Sequence, residues 1–258
     1  MFPLRCLDLF SQNRKFMGTP FSPTRQDVER YRRLRAAGSA LIQKIVDTVP
    51  RQVLIEMGET LGVMRNGVLD PGSEYGHNVI LDCCIYEWFE NGKNLVQRYA
   101  ETHPPAPETD ESYLLNAYLQ AKYRVLGMQT AAPDAGVYCD DVLTGEKMFL
   151  MDVALSRNPE RGNVLIGART ISLGDYAMTC GGALPIDKKT AVHALSGLVL
   201  GGAKSIEGAS SMAIQVVRAC LATGAADNVA YANPSEAPKK PRIEPRFPGF
   251  KRRRRPAN

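Results

Sequence analysis

The stretch YRVLGMQTAAPDAGVYCDDVLTGEKMFLMDVALSRNPERGNVLIGARTISLGDYAMTC, residues 123–180, decides the fold. It reads as five short apolar runs: Tyr123–Met128, Gly136–Asp141, Lys147–Val153, Asn163–Thr170 and Tyr176–Cys180. Between them lie turn-forming clusters, Pro133-Asp134-Ala135-Gly136, Leu143-Thr144-Gly145-Glu146, Asn158 to Gly162 and Leu173-Gly174-Asp175. Short runs at close spacing with Gly and Pro punctuation predict an antiparallel meander or small barrel-like module. Within it, Asp140 to Glu146 reads as a hairpin turn, where Gly145 supplies a positive φ and Thr144 a local hydrogen bond.

On the N-terminal side the periodicity changes from two to that of a helix. Residues 1–23 are irregular, with prolines at 3, 20 and 23. Thr24 then reads as an N-cap with Asp27 three residues on, ahead of a stripe running from Val28 and Tyr31 to Val49. Pro50 ends or kinks that helix, and a second one, Arg51 to Leu61, stops at Gly62. Asn66-Gly67 and Asp70-Pro71-Gly72 signal turns. Further helices are expected over Asn78–Phe89, Lys93–Glu101 and Asp110–Ala121, the last with Tyr113, Leu114, Ala117 and Tyr118 on one face.

Beyond the strands, two more helices are expected, Asp187–Leu200 and Ile206–Thr223, broken at Gly201-Gly202. Helices and strands fall in separate blocks, so the class is α+β, with a helical N-terminal half. The expected divisions are 1–23 irregular, 24–122 helical, 123–182 the β module, 183–228 the C-terminal helices and 229–258 a disordered, Pro-rich basic tail.

Composition is that of an ordinary globular protein, 44% hydrophobic and 23% charged. The most apolar segment, Ala191 to Ala203, contains His193, Ser196 and three glycines and falls short of the roughly 20 residues a membrane span needs. Arg5 and Asp8 interrupt any export signal near the N-terminus. The six cysteines show no C-x-x-C spacing and read as reduced, buried thiols. A cytoplasmic protein without membrane contact is expected.

The segment Gly62 to Tyr99, with Gly67 and Asp82, precedes Tyr123-Arg124-Val125-Leu126, the hairpin Cys139 to Glu146 and Ile166-Gly167-Ala168-Arg169. In these motifs, over roughly residues 24–182, the chain resembles a set of uncharacterised bacterial proteins. Those proteins join a helical half to a small β module with a D-x-L-T-G-E hairpin, and often end in a zinc-binding SEC-C motif. The resemblance implies the same fold and a bacterial cytosolic setting. It implies no zinc site, because the C-terminal Cys/His segment is absent.

Sites for chemistry are sparse. Gly197 to Ser205 echoes a phosphate-binding loop, but Ala203 separates Gly202 from Lys204, and the segment before it reads as helix rather than strand. Asp70, Glu74, His77, Asp82 and Glu87 are the densest group of potential ligands or acid/base residues. On one helix Asp82 and Glu87, five apart, are expected to point in different directions, and no H-E-x-x-H spacing exists. These are read as solvated turn and helix-terminus charges. Arg157, Arg161 and Arg169 are read as positive surface beside the β module, offset by Asp152, Glu160 and Asp175. No catalytic, metal or cofactor site is nominated.

The strongest functional feature is charge asymmetry. Residues 239–258 hold nine basic groups (Lys239, Lys240, Arg242, Arg246, Lys251, Arg252, Arg253, Arg254 and Arg255) against Glu244, a charge of +8. The whole chain carries +5, which leaves −3 for residues 1–238. Such a tail suits sequence-independent contact with RNA or DNA, with Phe247 and Phe250 placed to stack on bases. A protein-interaction adaptor whose tail binds an acidic protein is the alternative. An enzyme with a dispersed acid/His site stands third.

Overall fold

A computed structural model describes residues 21–157, 165–187, 190–191 and 211–224. The Asn158 to Gly162 turn, Arg161, His193, the Gly197 to Ser205 segment and the basic tail lie outside them.

Capping starts the helical half where the sequence places it. The first helix, α1 (Arg25–Val46), opens with a full capping box: Thr24 accepts from the Asp27 amide and Asp27 from the Thr24 amide. α2 (Arg51–Leu61) begins after Pro50 and ends at Gly62, whose φ of 74° supplies the left-handed turn. Each Asn-Gly pair then closes a two-residue hairpin, β1 (Met64–Arg65) with β2 (Val68–Leu69), and β3 (Phe89–Glu90) with β4 (Lys93–Asn94). Both central residues have positive φ in each case, the type I′ geometry of tight hairpins. Between these hairpins runs α3 (Glu74–Glu87), capped by Ser73 and four residues earlier at its start than expected. α4 (Leu95–Thr102) and α5 (Asp110–Leu119) complete this half. Tyr113 departs from its expected buried face: it is exposed, with the Arg30 guanidinium 5.4 Å from its ring.

The strand block closes on itself. β5 (Lys122–Ala132) pairs with β6 (Gly136–Asp141), and β6 with β7 (Lys147–Met151), all antiparallel. A short helix, α6 (Val153–Ser156), replaces the expected end of the third strand. β8 (Leu165–Ser172) returns beside the first half of β5, and β9 (Ala177–Thr179) folds back on β8 while meeting β7 in parallel. The ring is β5–β6–β7–β9–β8, with β10 (Leu184–Ile186) added to the free edge of β8. The barrel expectation holds and the simple meander does not. β5 can serve both neighbours because it is long and bulged, its register with β6 shifting between Met128 and Thr130.

Side-chain alternation separates the barrel's inside from its outside. Leu126, Met128, Val137, Cys139, Leu150, Ile166 and Ala177 fill the interior, and Leu155 of α6 packs with them. Outward residues of the same strands form two further cores with the helices. Val125 and Leu165 meet α2, α3 and the last helix, α7 (Met212–Thr223), which carries out part of the expected Ile206–Thr223 helix. Phe149, Met151, Ile171 and Met178 meet α1, α3, α4 and α5. α3 contributes Val79, Ile80, Cys83 and Cys84 to the first and Ile85 and Tyr86 to the second. It is apolar nearly all round because it is covered nearly all round.

Candidate functional site

The site lies where α3 meets the outer wall of the barrel. Arg169 of β8, only 4% exposed, points outward from an apolar strand into α3. Its Nε donates to Asp82 Oδ2 at 3.1 Å and its Nη2 to Glu87 Oε1 at 2.6 Å. Its Cζ stands 4.0 Å from the Tyr86 ring centroid and 5.5 Å from that of Tyr123.

This arrangement corrects two expectations. Asp82 and Glu87 do leave the helix at different angles, yet a planar guanidinium is wide enough to engage both. Nor does Arg169 add surface charge, since it is consumed inside the fold. Arg157 is exposed but paired with Asp134 at 2.7 Å.

The electrostatics follow from burial. Loss of hydration pushes the Asp82 carboxyl above its ordinary value, outweighing Arg169, and neighbouring Glu87 adds to the rise. Burial works against the Arg169 charge, but Asp82 and Glu87 together hold its pKa above the usual arginine value. Burial, then Asp82, raises the Cys180 thiol to about 12, which leaves it protonated and a poor nucleophile.

Asp82 also lines a cavity of about 280 Å³ bounded by α1, α3, Tyr118 of α5 and the chain after β9. Its more exposed edge carries Arg35, Ser39, Gln43 and Asn78; its buried wall carries Asp82, Ile85, Tyr118 and Cys180. Two close approaches create it. At Gly181 a Cβ would collide with the Asp82 carboxylate, so the loop lies against α3 only as glycine. At Gly38 a Cβ would fall 2.5 Å from the Tyr118 hydroxyl, so α1 admits the phenol only there. Arg35 reaches across the edge, donating to the Thr179 carbonyl and, at 3.0 Å, to the Thr179 hydroxyl.

The other residues marked in the sequence are not gathered here. Neither Glu87 nor His77 lines the cavity. Asp70 caps its own turn, accepting from the Gly72 amide at 3.3 Å. The expected hairpin is present: Gly145 has φ 75°, and Thr144 accepts from the Glu146 amide. Arg124 ties it to β5 through Asp141 at 2.9 Å and Glu146 at 2.7 Å. Among the described residues no three His, Cys, Asp or Glu side chains gather closely enough to hold a metal ion. The nine tail cations lie outside the described residues.

Fold and site together define an α+β protein built on a five-stranded barrel. Numbering its strands 1 to 5, the ring runs 1-2-3-5-4, with a helix between the third and fourth and a parallel contact between the third and fifth. That is the connectivity of oligonucleotide/oligosaccharide-binding barrels, whose ligands usually lie on strands 2 and 3. Here the outer face of those strands is filled by the chain itself. Phe21 packs 5.4 Å from the Phe149 ring, and its carbonyl accepts from the Tyr138 hydroxyl at 2.6 Å. The chain belongs to a family of unknown function, DUF7986, whose model matches residues 25–196. The match carries no link to proteins with a SEC-C segment. No curated protein and no solved structure matches the chain.

Proposed function

We propose that this protein binds nucleic acid through its cationic tail, with the barrel and helices acting as the folded body that carries it. The observation behind this reading is the partition of charge, +8 in residues 239–258 against −3 in the rest. Ion pairing within the body sharpens the contrast. Arg25, Arg33, Lys44, Lys93, Arg98, Arg124, Arg157 and Arg169 all face carboxylates. The packing of Phe21 on strands 2 and 3 supports a contact made by the tail rather than by that barrel face. Binding of this kind is driven by counterion release and is indifferent to sequence.

The setting we propose is a bacterial cytosol, a reading supported by the cysteines among the described residues, all five of them buried and free. No helix among the described residues is long and apolar enough to cross a membrane. The test compares full-length protein, a 1–238 truncation and a variant with residues 251–255 changed to Gln, using labelled RNA and duplex DNA in fluorescence anisotropy. Binding by the full chain, lost in both variants, is the expected result. Undiminished binding by the truncation would overturn the reading, and no binding by any form would turn attention to an acidic protein partner.

A further inference from the structure

We propose that the cavity between α1, α3 and the β9–β10 connection binds a small zwitterion of amino-acid size, its anionic group on Arg35 and its ammonium on Asp82. Three observations converge on this. First, the cluster of buried Asp82 and Arg169 with partly buried Glu87 holds two carboxylates against one guanidinium, and Asp82 is the member that reaches the cavity wall. A second cation there would complete the charge balance that a buried ionic group needs.

Second, Arg35 lines the same cavity at a more exposed position, with no carboxylate within ion-pair distance among the described residues. It is anchored only through one nitrogen, to the carbonyl and hydroxyl of Thr179. This anchoring fixes the guanidinium while leaving its other N–H groups for a planar anion such as a carboxylate.

Third, Tyr118 lines the same cavity, and its hydroxyl, which makes no hydrogen bond among the described residues, is not one of the sealed, unpartnered buried atoms but meets the open space of the cavity. There it can donate to or accept from a polar group of a bound ligand. The volume, about 280 Å³, lies just below the range of about 300–1,000 Å³ typical of small-molecule pockets and suits a small ligand. Opposite charges on one cavity lining select a molecule carrying both, and disfavour simple amines or simple acids, which leave one charge unmatched.

The test is isothermal titration of the full-length protein with each of the twenty L-amino acids. Butylamine and butyrate serve as single-charge controls. The expected result is one-to-one binding of at least one amino acid and of neither control. Arg35→Gln, at a partly exposed position, should weaken that binding at least tenfold, and Tyr118→Phe should weaken it severalfold while retaining the ring. Circular dichroism checks that both variants remain folded. No binding by any amino acid up to millimolar concentration, equal binding of a control, or affinity unchanged in both folded variants would overturn the proposal. Because this test involves neither the tail nor nucleic acid, its failure leaves the tail reading intact.

Discussion

Arg169 occupies an apolar strand because its charge is answered from another element. Replacing it with Leu leaves buried Asp82 and partly buried Glu87 without a counter-charge, and the expected loss of stability is about 3–5 kcal/mol. The loss should depend on pH in a set direction. Burial raises the folded-state pKa of Asp82, so the folded chain holds a proton that the unfolded chain releases near the ordinary value of about 3.9. Stability from this group is therefore greatest below that value and declines as pH rises through the raised one. Without Arg169 the rise is larger and the window extends upward, so Arg169→Leu should be less destabilising at pH 5 than at pH 7. Urea unfolding at the two pH values measures this, and an equal loss at both would contradict the charge pairing.

A hint of this pairing is visible in the sequence. Asp82 lies inside the apolar run Val79 to Ile85 and Arg169 inside Leu165 to Ile171, where a charge needs a partner. What sequence does not give is which partner, since the two are 87 residues apart. The same holds for the cavity: Gly38, Gly181, Arg35 and Tyr118 meet only through long-range packing.

Elements were legible to the extent that local chemistry sets them. Thr24 with Asp27, Gly62, the Asn-Gly pairs and Gly145 each mark a boundary or turn that the structure contains, because each satisfies a nearby backbone need. The second strand, Gly136–Asp141, has the bounds read from the sequence. The closure of the barrel was not legible, because the parallel β7–β9 contact and the shared edge of β5 are pairings between distant segments. Leu184–Ile186, three residues long, was missed as a strand since it depends on the edge of β8. Gly145 offers a test at this scale. With φ at 75° and open space where a Cβ would stand, Gly145→Ala should cost about 1–2 kcal/mol by backbone strain alone. A urea midpoint unchanged from the parent would place the turn in another conformation.

At the scale of the molecule, the described helices and barrel share their cores, whereas the tail's composition offers no apolar face to join them. The family match ends at residue 196, before the tail begins. Removing residues 239–258 should therefore leave the urea unfolding transition of the body unchanged. A lowered midpoint would mean that the tail packs on it.

The most direct measurement is the salt dependence of RNA affinity for the full-length chain, followed by anisotropy across a potassium chloride series. A tail engaging about six phosphates predicts a log–log slope of about −5, or about −4 on a single strand. The 1–238 protein should show no binding from which a slope can be taken. A slope near zero, or a steep slope that survives truncation, would contradict the assignment of nucleic-acid contact to the tail.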